Sequence, residues 1–312
     1  MARLALLALV LAGPAGAQML DGIPPQHRIV LVSFTGARYN PLGLATDLRG
    51  TYRLRLYPSD QLALQDNFFA AGATLSVSPA IARVGALVEL QPLTILKLWA
   101  LYEEVQFYGN FSEMQSFPSA RADYSDSTLT ALGNLPSGDP RRNYGGHGGE
   151  LSLGARLQLK FGNVALVDGL VFDRHDYALR AGDRLLYDPV LDILSPGQGW
   201  TVADDADLVY FAGEHLIVGA RWSFASAFYR SEDFAPGESQ ANLNRQQRLG
   251  PLAAWTFFKH DDRRRFWSPT MFAVAGWYLE HRFRTGADTS GAIPYLAAGF
   301  GFWSDLLPAT ER

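Results

Sequence analysis

The sequence predicts an all-β protein: a transmembrane antiparallel up-and-down β-barrel of about 12 strands, following a cleaved N-terminal signal peptide. Three observations predict it. Long segments alternate apolar and polar residues, very short turns on one side oppose long polar loops on the other, and the chain opens with a secretion signal. The clearest segment is Glu150 to Phe161. Leu151, Leu153, Ala155, Leu157, Leu159 and Phe161 share one face of an extended strand, and Glu150, Ser152, Gly154, Arg156, Gln158 and Lys160 share the other. Side chains alternate with a period of two in a strand. Such a run has about the length a tilted strand needs to cross a bilayer.

The first element is the signal. Met1-Ala2-Arg3 is a positively charged start, Leu4 to Leu11 is apolar, and Gly13-Pro14 breaks the run before Ala15-Gly16-Ala17. This is the pattern of a secretory peptide cut after Ala17. It divides the chain into residues 1–17, the signal peptide, and 18–312, a single barrel domain. Removing Arg3 takes the net charge from −4 to about −5, which argues against nucleic acid as a partner. No later stretch supplies the roughly 18 uncharged apolar residues of a spanning helix. The absence of cysteine excludes disulfides, thiolate metal sites and a cysteine nucleophile.

Twelve strands are expected, near 27–35, 43–57, 67–78, 80–91, 93–109, 148–161, 163–174, 206–213, 215–229, 247–258, 269–284 and 293–303. The second puts Leu44, Thr46, Leu48, Gly50, Tyr52, Leu54 and Leu56 on one face, against Asp47, Arg49, Thr51, Arg53 and Arg55. The fourth and ninth alternate in the same way. The fifth mixes its faces, with Trp99 and Leu101 sharing a side with Lys97 and Glu103, and the eighth is short. Gly162-Asn163, Gln91-Pro92 and Ala212 to Glu214 are short turns, whereas 110–147, 175–205 and 230–246 are long and polar. With 12 strands, the long stretches fall opposite the termini.

Strand length, charge gathered on the polar faces, and aromatics near strand ends (Tyr57, Phe69, Phe107, Tyr108, Phe161, Tyr229, Phe257, Phe258, Phe302 and Trp303) place the apolar face outward, in lipid. On these features the chain resembles the outer-membrane β-barrel proteins of Gram-negative bacteria. The resemblance implies location in the bacterial outer membrane, contact with outer-membrane lipid and lipopolysaccharide, and insertion by the barrel assembly machinery. Class members typically end at a terminal phenylalanine; here Phe302-Trp303 is followed by Ser304 to Arg312.

The functional candidates are charges expected to line the lumen: Arg49, Arg53, Arg55, Arg83, Glu89, Glu103, Glu150, Arg156, Lys160 and Arg221. They could bias passage of ions or small polar solutes, or pair across the lumen and plug it. Eight strands give a filled barrel and 16 to 18 a channel, so 12 decides neither. The leading expectation is a passive pore; the alternative is a plugged structural or surface-interaction barrel acting through its outer loops, and the third is an outer-membrane lipid-modifying enzyme. No nucleophile–base pair is recognisable, so no catalytic residue is expected. No cofactor is expected, and none of the six histidines is paired with another at metal-ligand spacing. His175 and His260 are expected to be solvated. Gly145-Gly146-His147-Gly148-Gly149 is expected to be the flexible re-entry of an outer loop. The acidic stretch Asp176, Asp183, Asp188, Asp192, Asp204, Asp205 and Asp207 offers oxygens for calcium but lacks the spacing of an EF-hand.

Overall fold

The computed structural model describes residues 24–111, 114–258 and 267–307. The signal-peptide region and His260 lie outside them. The barrel strands are β1 (His27–Tyr39), β2 (Gly43–Leu54), β3 (Phe68–Val77), β4 (Ile81–Leu93), β5 (Leu96–Tyr108), β7 (Gly145–Phe161), β8 (Val164–Tyr177), β11 (Gln198–Ala212), β12 (Leu216–Phe228), β13 (Gln246–Thr256), β14 (Trp267–Glu280) and β15 (Tyr295–Asp305). Each pairs antiparallel with its neighbours in the chain's own order, and β1 pairs with β15, closing a 12-strand barrel. Closure leaves no strand edge unpaired, which is what a hydrocarbon solvent demands.

The outward face is the apolar one. Leu153 and Leu157 are exposed, as are Val84, Val88 and Leu90 on β4 and Leu44, Leu48 and Tyr52 on β2. Their alternates point in: Arg83, Glu89, Asp47, Glu150 and Arg156 are buried. On β5 the ambiguity resolves with Lys97, Trp99, Leu101, Glu103, Val105 and Phe107 inward and Leu98, Ala100 and Tyr102 outward. The Trp99 ring crosses Gly154, where an added Cβ would stand 2.0 Å from a ring carbon. Exposed aromatics sit toward both strand ends: Phe69, Phe161, Tyr210, Trp255 and Phe257 on the side of the termini, Tyr39, Tyr108, Phe228 and Trp277 on the other.

The interior is less uniformly polar than alternation suggests. Phe34, Val167, Val209, Ile217, Leu252, Phe272 and Val274 are also buried inward, with the Phe34 and Phe272 rings stacked at 5.3 Å. Charge lines mainly the β2–β7 wall and one patch of β11–β13.

On the side of the termini the turns are tight. Gly162 (φ 59°) and Gly213 (φ 86°) take left-handed conformations that a Cβ would disfavour. The β2–β3 turn carries a one-turn helix, α1 (Leu62–Gln65). It is pinned by Asn67, whose Oδ1 accepts from Leu56 and Tyr57 N–H at 3.0 Å each and whose Nδ2 donates to Leu64 O at 2.7 Å.

On the opposite side the long segments fold into a cap. It contains β6 (Ser116–Phe117), β9 (Leu185–Asp188) and β10 (Ile193–Pro196), joined in a three-stranded sheet, and helix α2 (Asp126–Gly133). Ser125 caps α2, its Oγ accepting from Thr128 N–H at 3.3 Å. Phe117, Tyr124, Leu129, Leu185, Tyr187, Leu194 and Phe234 form the cap's own apolar core.

Three expectations need correction. The eighth strand is not short: β11 begins at Gln198, because Thr201, Ala203, Asp205 and Asp207 alternate inward while Trp200, Val202, Asp204, Ala206 and Leu208 alternate outward. The Gly145–Gly149 string is not flexible but opens β7, and its glycines admit neighbours too close for side chains: a Cβ on Gly148 would stand 2.4 Å from Asp176 O. His175 is not solvated; it is 2% exposed inside the barrel.

Candidate functional site

The lumen is the candidate site, and its chemistry is that of charges brought together across strands. Glu89 of β4, fully buried, is ringed by Arg49 (3.2 Å) and Arg53 (3.6 Å) of β2 and Lys97 (3.3 Å) of β5. One carboxylate thus holds three cations. Next to it Arg83 lies 3.0 Å from Glu150 and 3.8 Å from Glu103, and Glu103 accepts from the Thr74 hydroxyl at 2.8 Å. Glu150 also accepts from Tyr177 at 2.6 Å. Across the lumen Arg221 of β12 forks onto Asp207 of β11, with Nε–Oδ1 at 2.6 Å, and Asp205 lies 3.7 Å from its Nη1.

Eight of the ten sequence candidates therefore sit inward in the barrel wall: Arg49, Arg53, Arg83, Glu89, Glu103, Glu150, Arg156 and Arg221. All but Arg49 and Arg53 of these are less than a tenth exposed. The other two stand apart. Arg55 lies beyond β2 and donates to Pro24 O and to Gln26, at 3.1 Å from its Oε1. Lys160 is exposed at the turn end of β7, its ammonium 4.3 Å from the Phe211 ring centroid.

A second group was only weakly marked in the sequence. Glu150 of β7 and Asp173 and His175 of β8 place their ligand atoms within 4.8 Å of one another, all buried. The signal was there in weak form: Asp173-x-His175 alternates onto one face, and β8 lies beside β7 with Glu150 directly opposite His175. Arg83 and Tyr177 already hold the Glu150 oxygens, so a cation would have to displace them. Six residues of the acidic stretch, by contrast, are spread over different surroundings. Asp205 and Asp207 serve Arg221, Asp183 accepts from Ser116 at 2.5 Å, Asp188 and Asp192 belong to the cap, and Asp204 faces outward.

The outer mouth is filled by the tip of the β9–β10 hairpin, Pro189 to Asp192. Arg38 of β1 donates to Val190 O at 3.2 Å and to Pro189 O. Leu191 and Ile193 pack on Ala225 and Ala227. Asp192, 2% exposed, is the hub: it accepts from Tyr187 (2.8 Å), Tyr278 (2.9 Å) and Arg284 (3.0 Å from Nη2, and Nε). Arg284 continues to Asp126 of α2 at 2.8 Å through both terminal nitrogens and to Asn40 at 2.5 Å. His281 donates from Nε2 to Asp192 O at 2.7 Å, and its Nδ1 accepts from the Phe283 and Arg284 N–H groups at 3.1 Å each. Burial would raise the Asp192 carboxyl, but His281 and Arg284, with the Tyr187 bond, hold it down at about 2. Burial holds His281 below its ordinary value.

No protein-family description matches the chain, and no curated protein matches it. Among solved structures it is similar to the translocator domain of the autotransporter NalP from Neisseria meningitidis (11% identity, TM-score 0.35, 93% of this chain and 92% of that one covered). It is also similar to the toluene transporter TbuX of Ralstonia pickettii (10%, 0.37, 94% and 94%) and the outer membrane protein OprD from Pseudomonas aeruginosa (9%, 0.29, 92% and 95%). Nothing about activity follows from likeness at this level. The decisive fact is the closed ladder itself: side chains that would be misplaced against water cover its outside, aromatics crowd toward its two rims, and its ion pairs are kept within. Hydrocarbon is the solvent this exterior suits, and the chain folds as a closed antiparallel β-barrel of the transmembrane kind.

Proposed function

We propose that the protein is a plugged outer-membrane barrel that acts at the cell surface through its folded cap. The observation that carries this reading is the burial of the lumen wall: Arg83, Glu89, Glu103, Glu150, Arg156, Asp207 and Arg221 are each at most 7% exposed. A water-filled pore would leave such side chains wet. The hairpin tip in the mouth, and a cap with its own apolar core and α2 tethered through Arg284, support the same reading. Lipopolysaccharide around the outer rim and the assembly machinery during insertion are the partners it calls for, and it assigns no catalytic step.

The charged wall favours a second reading, a passive channel for ions or small polar solutes whose conducting state needs the hairpin withdrawn. Planar-bilayer recording on the purified protein separates the two. The plugged reading expects no conductance steps at moderate voltage. Regular, long-lived steps from the intact protein would overturn it in favour of the channel.

A further inference from the structure

Beneath the hairpin tip lies a cavity of about 50 Å³, lined by Arg38 of β1, Arg221 and Ser223 of β12, Gln246 and Arg248 of β13, Gly276 of β14 and Tyr295 of β15, with Asp205 the one carboxylate on its wall among the described residues. A single water needs about 10–15 Å³ by this measure, so there is room for a few waters or one small polyatomic anion. The charges around it do not balance. Arg221 takes both nearby carboxylates, Asp207 and Asp205. Arg38 is bonded to the tip carbonyls of Pro189 and Val190. Arg248 stacks its guanidinium on the Tyr295 ring at 3.9 Å and approaches Tyr278 at 5.7 Å. Neither Arg38 nor Arg248 has an ion-pair partner among the described residues. Three guanidinium groups thus meet two carboxylates.

The polar atoms left over belong to the same residues. Arg38 Nε, Arg221 Nη1 and Arg248 Nε are buried without a hydrogen-bond acceptor, and Gln246 Oε1 without a donor. Arg38, Arg221 and Gln246 are 6%, 3% and 2% exposed. An uncompensated buried positive charge and buried donors without acceptors are both costly. Guanidinium forks match the geometry of carboxylate and phosphate oxygens. We propose that this cavity is a binding site for a small oxyanion, a carboxylate or phosphate group, held between Arg38, Arg221 and Arg248. Arg38 also holds the hairpin tip, so an anion here braces the plug from below. The inference is independent of whether the barrel conducts.

The test uses the full mature barrel folded in detergent in phosphate-free, carboxylate-free buffer. Its thermal unfolding midpoint is measured against rising sodium phosphate, sodium acetate and sodium chloride at matched ionic strength. A saturable rise of several degrees with phosphate or with acetate, beyond that with chloride, is expected; which anion gives it assigns the group. Arg248→Gln abolishes the rise. Gly276→Ala, whose Cβ would sit 3.5 Å from the nearest atom, Arg248 Cβ, narrows the cavity without disturbing the fold and raises the half-saturating concentration at least threefold. Lys160→Gln, at the far end of the barrel, leaves it unchanged. Equal rises with all three salts, or a rise that Gly276→Ala leaves unaltered, would overturn the proposal even if Arg248→Gln fails to fold.

Discussion

His281 shows how one side chain can set the pH range of the cap. Its Nδ1 accepts from two backbone N–H groups, so a proton there would face two donors. Burial keeps the folded ring below its ordinary value, while the unfolded loop takes up a proton near pH 6.5. Stability from the neutral ring is therefore full above about pH 7 and is lost as pH falls through the ordinary value toward the folded one. Asp192, held near 2, has the same sign in a lower range: its contribution persists above about pH 4 and is lost only as pH falls from there toward 2. Loosening as pH falls below about 7, before Asp192 begins to titrate near 4, thus belongs to His281. Amide exchange at Phe283 and Arg284, corrected for intrinsic rate, should quicken over that interval; unchanged protection would contradict it. A second residue stands out for its misfit. Asp204 faces outward between Val202 and Ala206, with a carboxyl oxygen lacking a partner and the Asp168 carboxyl of β8 beside it. Acidic groups in the apolar belt are costly, so Asp204→Leu should stabilise the folded barrel by up to about 2 kcal/mol, read from urea unfolding in vesicles. A loss of stability would show that the carboxyl is needed on that face.

At the scale of the strand, alternation makes a directional prediction. Leu153 and Leu157 point to lipid from the middle of β7, 41% and 38% exposed. Arginine at either should cost about 2–4 kcal/mol. Lys160→Ala, on the inward parity but exposed at the turn, should stay within about 0.5 kcal/mol. Arginine tolerated at both Leu153 and Leu157 as well as alanine is at Lys160 would mean that this face of β7 does not meet lipid. The faces of β2, β4, β7 and β12 were legible from residues alone because each has one greasy and one charged side. Those of β5 and β11 were not, for a physical reason. Trp99 and Leu101 are apolar yet inward because they fill the lumen, and Asp204 is charged yet outward, so each strand breaks the pattern that a one-sided solvent rule expects. The glycine string at Gly145–Gly149 misled for a related reason: glycine marks a close approach as readily as a flexible loop, and only the neighbouring strand, with Asp176 O and Tyr102 pressed against it, tells which.

For the whole molecule, the lumen is held as a lattice rather than as pairs. Glu89 anchors Lys97 from the adjacent strand β5 and Arg49 and Arg53 from β2, one strand further on, so Glu89→Gln should cost about 3–5 kcal/mol, the price of leaving inward cations uncompensated. Heat-modifiable gel migration should shift to a lower temperature in proportion; an unshifted transition would mean the cations find water instead, as in an open lumen. The sequence by itself indicated the solvent on each side of the wall, about twelve strands and which loops would be long, because the period of two acts locally along the chain; closure of the ladder fixed the count at twelve. It also named most of the charges that meet inside. Only the tertiary structure decided which of those charges pair with one another across strands, that the loop 178–197 turns inward to seat Asp192 in the mouth, and that Glu150, Asp173 and His175 converge. Those outcomes depend on register between strands and on packing between loops far apart in sequence, and residue order alone carries neither distance.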